Sequence, residues 1–241
     1  MKLFALISAL ALAGTSLHAA EADDVKAAAK KLAGQSYTWK STTEMAGGGG
    51  GGQWRPGPTE GRITADGVMA LTMARGDNTF EALMKGGKTA VKTPEGWQAP
   101  PEPGTGNAGG GPGGGAGMMG RMLSTMRPPA AEAEDLVGKV KELKKTEAGF
   151  VGDLTEEGAK QLLTRNRRGG GGEPPAPQGA KGTVKFWLKD GVLAKYEVQV
   201  QGRMAGRDGQ EIEVNRTTTT EISNVGTTKV EVAEEAKKVL G

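Results

Sequence analysis

The stretch Thr183-Val-Lys-Phe-Trp-Leu-Lys-Asp-Gly-Val-Leu-Ala-Lys-Tyr-Glu-Val-Gln-Val-Gln201 decides the fold. Two apolar-rich runs flank Asp190-Gly191, a pair suited to the type I′ turn, which needs positive φ at both central residues. Along the second run Val192, Ala194, Tyr196, Val198 and Val200 alternate with Lys195, Glu197, Gln199 and Gln201. One apolar face and one wet face predict an antiparallel sheet with a core on one side.

Working outward, the same pattern recurs. Ser36–Glu44 reads as an aromatic strand. Arg62-Ile-Thr-Ala turns through Asp66-Gly67 into Val68–Met73, and Thr79–Lys85 meets Lys88–Thr93 across Gly86-Gly87. Pro94-Glu-Gly96 delivers Trp97. After the long hairpin, Asp208-Gly209 leads into Glu211–Asn215, a threonine run and a last strand, Val230–Val232. Helices are predicted at Glu21–Gly34 (stripe Val25, Ala28, Ala29, Leu32) and at Pro128–Thr146 (stripe Leu136, Val137, Val140, Leu143). A brief helix through Leu163 should follow a short strand at Phe150-Val151, with Asp153-Leu-Thr-Glu156 as its capping box.

Bulk composition narrows the chemistry. The chain opens with Lys2 and an apolar run to Gly14, the layout of a signal peptide over residues 1–20 with cleavage within 19–22. The apolar run is too short to span a bilayer. There is no cysteine, and the one histidine, His18, would leave with the leader. A mature chain without His or Cys has no Ser-His-Asp or Cys-His machinery and no His/Cys zinc site. The expectation is therefore a non-enzyme with neither cofactor nor metal. The formal charge of +3 is spread over interspersed Lys and Glu, so no nucleic-acid groove is expected. The 41 glycines concentrate in low-complexity insertions at 46–58, 99–117 and 168–181, which lack the composition to fold. Residues 21–241 then form one domain carrying these insertions.

Most short motifs dissolve under physical scrutiny. Gly104-Thr-Gly106-Asn-Ala-Gly109 matches a dinucleotide fingerprint but lacks the preceding strand and following helix. Gly86-Gly-Lys-Thr89 is explained by a tight hairpin, and Arg165–Gly172 by a helix end running into a linker. The doublets Glu156-Glu157 and Glu234-Glu235 point apart, as sequence neighbours do, and read as solvated positions. Met118, Met122 and Met126 fall on one helical face and form a candidate lid, or alternatively a thioether Cu(I) site.

Several segments together carry a family resemblance. They are Tyr37 and Trp39 in a strand after a helix; Phe80-Glu-Ala-Leu-Met-Lys-Gly-Gly-Lys-Thr-Ala-Val-Lys-Thr-Pro-Glu-Gly-Trp97; Phe150-Val-Gly-Asp-Leu-Thr-Glu-Glu-Gly-Ala-Lys-Gln-Leu-Leu163; and Phe186 to Leu240, with Trp187–Lys195 and Asn224-Val-Gly226 inside it. The chain resembles the superfamily of periplasmic lipoprotein carriers and mycobacterial lipid-binding lipoproteins, LolA/LppX-like half-barrels. It lacks the lipid-anchoring Cys of the mycobacterial type and has Ala233 where relatives often place Pro. The resemblance implies an apolar ligand held between a concave sheet and helices.

The predicted fold is α+β: a curved antiparallel sheet, a half-barrel of roughly eight to eleven strands, with two or three helices over its concave face. The predicted function is exported, non-catalytic binding of an acyl chain, lipid or lipidated partner by a monomer in the periplasm or outside the cell. Its candidate lining is Trp39, Met69, Leu71, Met73, Phe80, Met84, Phe186, Leu188, Tyr196, Val198 and Val200. The alternative is an envelope scaffold with glycine-rich tethers. No nucleic acid and no membrane span are expected.

Overall fold

The computed structural model describes residues 14–46, 57–75, 78–100, 123, 125–165, 175–205 and 210–241. Among the described residues the helices with defined bounds are α1 (Gly14–Ala33), α2 (Pro129–Val137), α3 (Glu156–Thr164) and α4 (Glu234–Leu240). The strands are β1 (Tyr37–Met45), β2 (Thr59–Ile63), β3 (Met69–Arg75), β4 (Asn78–Lys85), β5 (Lys88–Thr93), β6 (Gly96–Gln98), β7 (Val140–Thr146), β8 (Gly149–Leu154), β9 (Gln178–Lys189), β10 (Val192–Ala205) and β11 (Glu211–Ser223). They make one antiparallel, curved and unclosed sheet in the order β6-β5-β4-β3-β2-β1-β11-β10-β9-β8-β7. The α+β half-barrel is the architecture of the chain.

Two meanders, β1–β6 and β7–β11, meet where the first strand pairs with the last. Asp190 and Gly191 both have positive φ, 55° and 69°, as the I′ turn requires. At Asp66-Gly67 only Gly67 is left-handed, and its amide bonds to the Thr64 carbonyl. This is a wider turn ending in a bulge-type glycine.

Cross-strand register lays side chains in rows on the concave face. One row runs Ile222, Trp39, Gly61, Leu71, Ala82, Val91. Gly61 is required there, because a Cβ at that position would fall inside the Trp39 indole. A second row runs Phe150, Phe186, Tyr196, Thr220, Ser41, Thr59, Met73, Phe80. α1 lies over β10 and β7 and packs on α2, while α3 covers β9 and β10. The α1 stripe of Val25, Ala28, Ala29 and Leu32 is buried as predicted, and the main core fills the space between these helices and the sheet.

Several elements differ from expectation for identifiable reasons. The first helix begins at Gly14 rather than Glu21, because helix-forming Leu17, Ala19 and Ala20 extend it backward. Its first residues thus run through the proposed cleavage region, while residues 1–13 lie outside the described chain. The helix expected over 128–146 stops at Val137, and Val140–Thr146 is instead an edge strand hydrogen-bonded to β8. Leu136, Val137, Val140 and Leu143 fit either element. What decides is the Thr146-to-Gly149 hairpin, which gives the segment a partner, with Gly149 at φ 135°. The strand at Phe150 is correspondingly longer than two residues. α3 is capped by Thr155, whose hydroxyl accepts the Gly158 amide at 2.9 Å, and not by Asp153.

β9 starts at Gln178, so residues 178–181 belong to the sheet rather than to the third insertion. A bulge between Leu193 and Lys195 breaks the predicted alternation. Leu193 is fully buried, Val192 is half-buried against the core, and Ala194 turns toward the outer face. Val230–Val232 is not a strand. It leads without regular structure into α4, which lies on the outer, convex side of β4–β6. There Ala236 and Leu240 bury Leu83 and Ala90 in a second, smaller core.

Candidate functional site

The structure brings all eleven predicted lining residues to the concave side, in or against one apolar cluster. Trp39, Met69, Leu71, Met73, Phe186, Tyr196, Val198 and Val200 are buried, whereas Phe80, Met84 and Leu188 are half-buried at its margin. Helices and sheet therefore meet in a packed core. Of the predicted lid, Met118 and Met122 lie outside the described residues, as do the 104–109 motif and most of the Arg165–Gly172 tract. Met126 is half-buried beside fully buried Leu123, and both join the core.

Helix α2 is held to the sheet by both tyrosines of the chain. The Tyr37 hydroxyl meets the Ala130 amide in the first turn of α2, where Pro128 provides no side-chain cap. The Tyr196 hydroxyl donates to Glu132 Oε2 at 2.6 Å, and Arg165 Nη1 donates to Glu132 Oε1 at 2.7 Å. Burial pushes the Tyr37 phenol up to about 12. Burial, reinforced by the adjacent Glu132 charge, raises Tyr196 well above its ordinary value. Both phenols stay protonated near neutrality and act as fixed hydrogen-bonding groups.

Sequence reasoning missed the polar part of the concave face. Ser41 and Thr43 continue the inward alternation of Tyr37 and Trp39, and Thr218 and Thr220 oppose them on β11. Ser41 Oγ lies 2.8 Å from Thr220 Oγ1, and Thr43 Oγ1 lies 3.3 Å from Thr218 Oγ1. Next in line is Arg216, paired with Val200 and Met45, whose Nη2 donates to the Leu162 carbonyl of α3 at 2.9 Å. Its pKa is depressed by burial and then by the Arg165 charge. The available signal was the alternation itself: carried two residues past Trp39, it puts hydroxyls where the apolar pattern stops.

The opposite face holds a hollow of about 680 Å³ bordered by Lys40, Glu60, Arg62, Thr72, Lys195 and Glu221. Lys40–Glu60 at 2.9 Å and Lys195–Glu221 at 3.4 Å are solvent-exposed pairs across it. This polar saddle lies on the side of the sheet away from the buried apolar face. Glu156, Glu157, Glu234 and Glu235 sit exposed in the first turns of α3 and α4, as expected of solvated doublets. Among the described residues no helix is long and apolar enough to cross a membrane.

Comparison with known proteins adds a structural likeness. A scan against protein-family models finds no match. A search of curated proteins finds none either. Among solved structures, the crystal structure of a LolA superfamily protein from Nitrosomonas europaea is similar at 10% identity and a TM-score of 0.33, over 88% of this chain and 95% of that one.

Proposed function

We propose that this chain is an exported, non-catalytic binding protein of the cell envelope whose ligand is an acyl chain, a lipid or a lipidated partner. The observation that carries this reading is the largely apolar concave face of an open sheet, with helices packed against its β7–β10 half and tied to it by a few polar contacts. Such a cover can part from the sheet without unmaking any strand pairing. Trp39, Met69, Leu71, Met73, Phe80, Met84, Phe186, Leu188, Tyr196, Val198 and Val200 would then supply shape and dry surface. The half-buried Phe80, Met84 and Leu188 mark where a chain would enter.

The test is native mass spectrometry of the mature protein isolated from a producing envelope, followed by titration with a fluorescent acyl probe. The expected result is a co-purified apolar adduct, removable by solvent extraction, and saturable probe binding to the stripped protein. A bare protein that also fails to bind the probe would overturn the proposal. That outcome would favour the second reading, an envelope scaffold, which the polar saddle on the convex face supports.

A further inference from the structure

The polar end of the concave face contains more positive charge than its own carboxylate can pair. Arg165 pairs with Glu132, and Arg216 lies within the electrostatic field of both. The two oxygens of Glu132 are already occupied, one by Arg165 and the other by the Tyr196 hydroxyl. Arg216 has its bond to the Leu162 carbonyl, which uses one of five guanidinium N–H donors. Among the described residues, no carboxylate lies within ion-pair reach of it. Half-buried Thr218 is two residues along the same face, with Thr43 opposite. Val200, the cross-strand partner of Arg216, and Val198, the partner of Thr218, are buried apolar side chains beside this corner.

A partly desolvated guanidinium with spare donors, hydroxyls beside it and an apolar floor next to it is complementary to an amphiphilic anion. The geometry points to Arg216, assisted by Thr218 and Thr43, as the receiver of an anionic headgroup, a carboxylate or phosphate, on an amphiphile whose chain lies along the apolar concave face. The inference rests on the apolar-ligand reading above and narrows it to anionic ligands. The bond to Leu162 also ties α3 to the sheet, so headgroup and helix contact the same side chain.

The experiment compares laurate, dodecyl phosphate and dodecanol on the mature full chain, by displacement of a neutral fluorescent acyl probe. Both anions should bind about tenfold more tightly than the alcohol. Arg216→Gln should abolish that preference while dodecanol binding persists. Equal affinities for all three in the wild type, or a preference undiminished in Arg216→Gln, would overturn the assignment and leave the apolar-ligand reading standing. Failure of all three to bind the wild type would remove both. Because Arg216 also secures α3, Arg216→Gln can unfold. In that case Thr218→Val, which spares the Leu162 bond, decides: a reduced anion-to-alcohol ratio supports the site and an unchanged ratio overturns it. Inorganic phosphate distinguishes the sources, since displacement of laurate by phosphate alone assigns a soluble anion and no displacement assigns a lipid headgroup.

Discussion

Tyr37 and Tyr196 are the only tyrosines of the chain, and each spends its hydroxyl on α2. Their raised pKa values have a direct thermodynamic consequence. Below pH 10, folded and unfolded chains both hold these protons, and the phenols leave stability unchanged with pH. Above it, the unfolded chain releases them while the folded chain retains them. Stability then falls, by up to about 1.4 kcal/mol per pH unit for each tyrosine. For Tyr37 the decline ends near its folded pKa of about 12. Urea midpoints measured across this range should stay level to pH 10 and then drop. Tyr37→Phe should flatten part of that slope. A slope identical to wild type in this variant would mean that Tyr37 is not buried as described. At the same scale, Gly61 shows what composition alone hides. A glycine inside a strand looks like a weakness, yet here it is the space that the Trp39 ring occupies.

Among the elements, α3 is the clearest case of local sequence dictating local structure. Thr155 accepts the Gly158 amide, Glu156 and Glu157 occupy the first turn, and Leu162 and Leu163 face the core. Thr155→Ala should cost about 1 kcal/mol in chemical denaturation, whereas Thr155→Ser should cost far less. Alternation and Asp-Gly or Gly-Gly turns were legible because both encode backbone geometry within a few residues. That sufficed for β1, β3, β4, β5, β9 and β10. The 140–146 segment was misread because its apolar spacing suits a helix and an edge strand equally, and only pairing with β8 distinguishes them. The bulge at Ala194 was invisible for the same reason: register belongs to two strands at once. α4 was missed because its short apolar pair, Ala236 and Leu240, acquires meaning only against Leu83 and Ala90 on the sheet's outer side. The apolar half of the candidate site was readable as alternation. Its polar half was not, since Glu132, Arg165 and Arg216 come from α2, the end of α3 and β11.

For the whole molecule, the order β6-β5-β4-β3-β2-β1-β11-β10-β9-β8-β7 joins two locally connected meanders through one non-local seam. Cutting the chain inside the low-complexity stretch 99–117 should therefore yield two fragments that reassemble when co-expressed, recovering the wild-type circular-dichroism spectrum. Neither fragment alone should melt cooperatively, because each would expose β1 or β11 as an unpaired edge. Fragments that fold independently would show that the seam contributes little. The seam itself couples Thr38 to Ser223, 185 positions apart. On a ribosome, β1 thus emerges long before its partner exists, and such distant pairing is slow to form. A nascent polypeptide with this wiring stays unfinished until nearly all of it has been synthesised, so the sheet locks only at the end.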